Sequence, residues 1–89
     1  MLLLMERGKR RPRSAVHSSG YQYLLRRLRD ARVAAGLTQV EVAKALGRQQ
    51  SYVTKCELGE RRIDPIDLQR FARLYRKPFA YFLPPTSDS

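Results

Sequence analysis

The chain has one cysteine, one histidine and no tryptophan in 89 residues. Cys56 by itself cannot close an intrachain disulfide. Cys56 and His17 together fall short of the about four ligands a structural zinc site takes. Long apolar runs are also missing. The opening stretch Met1 to Met5 is far shorter than the ~18 to 20 residues of a membrane span. It is also shorter than the ~7 to 15 residue apolar core of a secretory signal. Met5 is an alternative start to Met1. No P-loop, H-E-x-x-H, G-x-S-x-G or paired His–carboxylate pattern occurs. The chain is therefore expected not to be an enzyme, and to need no cofactor and no metal. Its length suits one domain and excludes a deep cleft between two lobes.

Acids are scarce as well: 8 Asp+Glu stand against 18 Lys+Arg, for a net charge of +10. Such a surplus bears on partners rather than on fold. Nucleic acid, an anionic membrane surface and plain solubility are the three readings. Acids are interspersed among the cations through most of the chain, which fits a folded nucleic-acid-binding surface better than a polybasic membrane anchor. A lone thiol that packs as a small apolar group fits a reducing compartment, the cytoplasm.

What is present divides into three stretches. Residues 1–20 carry Arg7, Lys9, Arg10, Arg11 and Arg13 against Glu6, with Gly8, Pro12 and Ser18-Ser19-Gly20 as breakers and no apolar periodicity. They are expected to form a flexible basic arm. It is either a solubilising tail or a strap along phosphates and the minor groove. His17 lies in it with no assigned role.

Residues 21–83 read as helical throughout. Leu24, Leu25, Leu28, Ala31 and Ala35 form one stripe beside Arg26, Arg27, Arg29 and Asp30. Thr38 and Glu41 make a T-x-x-E capping box ahead of a helix over Gln39–Leu46 that Gly47 ends. A third helix, Gln50 to Leu58, turns Val53 and Cys56 inward and stops at Gly59. Asp64-Pro65 opens a fourth, with Asp67 near its positive end and Leu68, Phe71, Ala72 and Tyr75 as its buried stripe. Pro78 opens a fifth carrying Phe79, Phe82 and Leu83. Half of this aromatic segment caps the core, and the rest is a candidate dimer patch. Residues 84–89 are a tail. Only these follow Leu83, so any signal is expected to act through concentration, a partner or proteolysis. The fold expected is all-α, a compact bundle of five helices.

Two short helices joined by a tight Gly47 turn have helix-turn-helix spacing, in which the second helix lies in the major groove of double-stranded DNA. On a 100° wheel Val53 and Cys56 point one way, and Ser51, Lys55 and Leu58 point the other, with Gln50 at the exposed N-terminal edge. Glutamine can pair with adenine N6 and N7, and lysine can donate to guanine O6 and N7. Gln50, Ser51 and Lys55 are thus the candidate base readers; their bland alternative is a solvated helix face. Gln39, Lys44, Arg48, Tyr52, Arg61 and Arg62 are the candidate backbone clamp, which positions without specifying. Tyr52 divides evenly between phosphate contact and packing on the preceding helix.

The stretch G-L-T-Q-V-E-V-A-K-A-L-G (Gly36 to Gly47), the following E-L-G-E-R (Glu57 to Arg61) and F-A-R-L-Y-R-K-P-F-A-Y-F-L (Phe71 to Leu83) resemble the lambda-repressor-like helix-turn-helix proteins. These are also called Cro-type or xenobiotic-response-element proteins. The resemblance implies a DNA-binding transcriptional regulator, a repressor and homodimer, working on bacterial or phage DNA. It implies that Gln39 bonds a phosphate and braces the recognition helix, that Gln50, Ser51 and Lys55 read bases, and that Arg32 and Glu57 form an ion pair tying the first helix to the third. Gln49 departs from the pattern, which has Ser or Thr as N-cap there. A lost cap costs about 1 kcal/mol, so the recognition helix is expected to firm on DNA. The alternative function is an antitoxin-like protein that binds a partner protein and its own promoter. RNA binding lacks the aromatic platform of RNA modules.

Overall fold

A computed structural model describes residues 18–85. Most of the basic arm, including His17, and the last four residues lie outside that range.

Helix α1 spans Ser19–Ala34. It starts two residues earlier than the apolar periodicity indicates, because Ser18 caps it: the Ser18 hydroxyl accepts from the Tyr21 N–H at 3.1 Å. Helix α2, Gln39–Leu46, opens on the full capping box. Thr38 Oγ1 accepts from the Glu41 N–H at 3.1 Å, and Glu41 Oε1 accepts from the Thr38 N–H at 2.9 Å. Helix α3 is Gln50–Leu58. Helix α4, Pro65–Tyr75, is capped by Asp64, whose Oδ1 accepts from the Asp67 N–H at 2.8 Å.

The fifth helix is a single 3₁₀ turn, Phe79–Phe82. Pro78 before it and Pro84 after it leave room for one turn only, closed by Tyr81 N–H to Pro78 C=O at 2.9 Å. Phe82 enters the core, while Phe79 and Leu83 stay exposed.

The core is one cluster: Leu24, Leu25, Leu28 and Ala31 from α1, Val42 and Ala43 from α2, and Val53 and Cys56 from α3, closed by Leu68, Phe71, Tyr75 and Phe82. α2 and α3 share the most extensive contact, and α1 packs on α3 and on the 3₁₀ turn. Arg27 holds that turn: its Nε donates to the Tyr81 carbonyl at 3.0 Å, and its guanidinium lies 3.7 Å from the Tyr81 ring centroid. A side chain added at Gly20 would touch Pro84 at 3.5 Å, so the two ends of the described chain lie side by side. Among the described residues no helix is long and apolar enough to cross a membrane.

Candidate nucleic-acid interface

The junction of α2 and α3 depends on one backbone conformation. Gly47 has φ 69°, a left-handed value that glycine adopts without strain. There the Gly47 N–H donates to the Lys44 carbonyl at 3.1 Å and the Arg48 N–H to the Ala43 carbonyl at 2.8 Å. α3 begins three residues after Gly47. Val42 and Ala43 share one buried cluster with Val53 and Cys56 where α2 meets α3, and this fixes the rotation of α3. Gln50, Ser51 and Lys55 are left exposed on its outer side, and Leu58 with them at 65%.

The N-terminus of α3 has no side-chain cap: Gln49 makes no such bond. The Tyr52 N–H turns back to the Gln49 carbonyl at 3.0 Å instead, tightening the first turn.

A polar brace locks α3 from behind. Arg32 Nε donates to Glu57 Oε2 at 2.6 Å, and Nη2 to Oε1 at 3.2 Å. A third donor of the same guanidinium, Nη1, reaches the Leu37 carbonyl at 3.0 Å. Glu57, with a side chain only 4% exposed, also accepts from Gln39 Nε2 at 2.9 Å. Gln39 Oε1 in turn accepts from the Thr54 hydroxyl at 2.7 Å. The amide orientation of Gln39 follows from chemistry, since a carboxylate demands the NH₂ end. Glu57 raises the Arg32 pKa above its ordinary value through this hydrogen bond. Gln39 thus braces α3 through Thr54 and Glu57 and retains one amide N–H.

Arg48, Ser51, Lys55 and Arg61 surround a concavity of about 550 Å³, with Gly47 and Tyr52 also in its wall. Gln50 on α3 and Lys44 on α2 are exposed and are not part of that wall. Arg62 lies over another aromatic, 5.8 Å from the Tyr21 centroid.

Tyr52 belongs to a different group from the other candidate clamp residues. It is 9% exposed and stacks parallel to Phe71, with centroids 6.1 Å apart. The ring packs on Phe71 of α4. What it offers outward is a surface for cations. The Arg48 and Arg61 guanidinium carbons lie 4.2 and 5.1 Å from its centroid. Burial, with Cys56 and Asp67 nearby, holds its phenol above the usual tyrosine range.

Three partners escape the sequence reading. Asp67, read there only as a helix-dipole residue, has Oδ1 3.9 Å from Arg48 Nη2. Thr54 completes the Gln39 brace. The Tyr21 hydroxyl accepts from the Ile63 N–H at 3.0 Å and so anchors the loop carrying Arg61 and Arg62. Each pairs elements far apart in sequence, which periodicity and spacing do not register. Cys56 is fully buried, and burial raises its thiol pKa. Among the described residues no cluster of three potential metal ligands exists.

Comparison with known proteins places this geometry in context. A family model described as "Helix-turn-helix domain" matches residues 24–78. Among solved structures, an XRE-family like protein from Pseudomonas syringae pv. tomato str. DC3000 is similar at 43% sequence identity and a TM-score of 0.70. That match covers 79% of this chain and 85% of the other. No curated protein matches the chain.

Proposed function

Because the chain belongs to the XRE family of helix-turn-helix DNA-binding transcription regulators, we propose that it is a sequence-specific repressor acting as a homodimer in the cytoplasm. The observation that carries this reading is the rotation of α3. Its inward side buries Tyr52, Val53 and Cys56, and its outward side presents Gln50, Ser51 and Lys55, the last two beside Arg48 and Arg61. In this reading the three outward residues contact base edges in the major groove. Lys44, Arg48, Arg61 and Arg62 hold the phosphates, with Gln39 contributing through its remaining N–H.

The test is selection of bound duplexes from a random library at physiological salt. The expected result is a two-fold symmetric site with half-sites ~10 to 10.5 bp apart, centre to centre. Gln50→Ala is expected to cost ~1 to 3 kcal/mol on that site and to relax one base position. An equal loss on every sequence would remove Gln50 from the reading face. Enrichment of no site would put the antitoxin-like alternative ahead, with a partner protein supplying specificity.

A further inference from the structure

Arg48 and Arg61 come from different segments, the α2–α3 turn and the loop after α3, yet both guanidiniums lie over one aromatic ring. We propose that Tyr52 is a positioning residue that gathers Arg48 and Arg61 onto a single backbone phosphate of bound DNA. This rests on the DNA-binding reading above and specifies how one part of that interface is built.

The ring is suited to the task because it does not move with the solvent-facing side chains. It is buried and lies parallel to Phe71, which is fully buried in α4. Its exposed area is therefore a fixed plate, and a guanidinium resting on such a plate keeps a set direction. Two cations drawn to one ring repel each other. Asp67 offsets that only for Arg48, at 3.9 Å. Among the described residues Arg61 has no carboxylate partner. The concavity consequently keeps a surplus of positive charge, increased by Lys55 on its wall. One phosphate answers this arrangement: it accepts from both planar forks and relieves their repulsion. Ser51 and Lys55 line the same concavity, so a phosphate seated there sets the register of the base-reading helix.

The experiment uses the full chain and a fluorescein-labelled duplex of mixed sequence, with affinity measured by anisotropy across a salt series. Arg48→Ala, Arg61→Ala and the double variant are compared in three backgrounds: wild type, Tyr52→Phe and Tyr52→Leu. A shared phosphate predicts that the double variant lowers the slope of log K against log salt by ~0.9, the value of one contact. Two separate phosphates predict a loss of ~1.8 and multiplicative affinity losses. In wild type the combined loss is expected to be smaller than the product of the single losses. That shortfall is expected to persist with Phe at position 52, which keeps the ring, and to vanish with Leu. If Tyr52→Leu fails to fold, as its melting curve will tell, the double-variant slope decides the proposal. Multiplicative losses in wild type, or a shortfall that survives Tyr52→Leu, overturn it while DNA binding stands. Absence of any salt-dependent duplex binding by the wild type overturns the DNA-binding reading itself, and the shared phosphate with it.

Discussion

The Tyr75 hydroxyl is buried on α4 with no hydrogen-bond partner among the described residues. A buried hydroxyl left unsatisfied costs about 1 to 3 kcal/mol, and the ring around it is otherwise well placed, 6.0 Å from Phe71. Tyr75→Phe removes the oxygen and keeps the ring. It is expected to leave stability unchanged or to raise it by about 1 kcal/mol in urea denaturation. A loss of that size would mean the hydroxyl holds a bond through water. Glu57 is the contrasting case. Its equally buried carboxylate accepts from Arg32 and Gln39; removing Arg32 leaves a buried charge unpaired, whereas removing Gln39 takes away one hydrogen bond and leaves the ion pair. Glu57 was legible as half of an ion pair only through its place in the family motif. Its bond to Gln39 was not: the resemblance implies that Gln39 braces α3, but not that Glu57 receives its amide.

At the scale of elements, the helix ends that carry their own chemistry read directly. Thr38 with Glu41, and Asp64 with Pro65, specify the starts of α2 and α4 through local side-chain bonds. The start of α1 and the form of the last turn read less well. Ser19 and Gly20 show no apolar stripe, so the cap at Ser18 is visible only once its bond to Tyr21 is formed. Phe79–Phe82 has the apolar content of a helix, but prolines on both sides confine it to one 3₁₀ turn. α3 is the helix whose start lacks a side-chain acceptor. Gln49→Ser supplies one and is expected to add about 1 kcal/mol of stability. The same change is expected to slow hydrogen exchange of the Ser51 to Val53 amides. Unchanged exchange there would mean that the Tyr52 N–H bond to Gln49 already secures the turn.

For the molecule as a whole, three acidic groups are held in their neutral forms by the fold. Burial is the leading cause at Cys56, Tyr52 and Tyr75, and it raises all three pKa values. The sign of the consequence is fixed by linkage. Below the unfolded-state values both states keep these protons. Above them the unfolded chain releases protons that the folded chain retains, so stability falls as pH rises. The decline is expected to begin near pH ~8.5, where an unfolded cysteine ionises, and to steepen above ~10, where tyrosines do. Melting temperature followed from neutral to alkaline pH checks this, and Tyr75→Phe is expected to flatten the upper part of the profile. A flat wild-type profile would contradict it. The net charge of +10 bears instead on association, where it draws polyanions at low salt.

The contact between Gly20 and Pro84 also bears on the order in which the helices are encoded. Since α1 begins where the 3₁₀ turn finishes, a short peptide can join residue 85 to residue 18, and the chain can be opened elsewhere. The exposed turn at Gly36, between α1 and α2, is a suitable opening. A circular permutant starting at α2 would keep the helix-turn-helix, its brace and its arginines in place, with α1 following the 3₁₀ turn as the last helix.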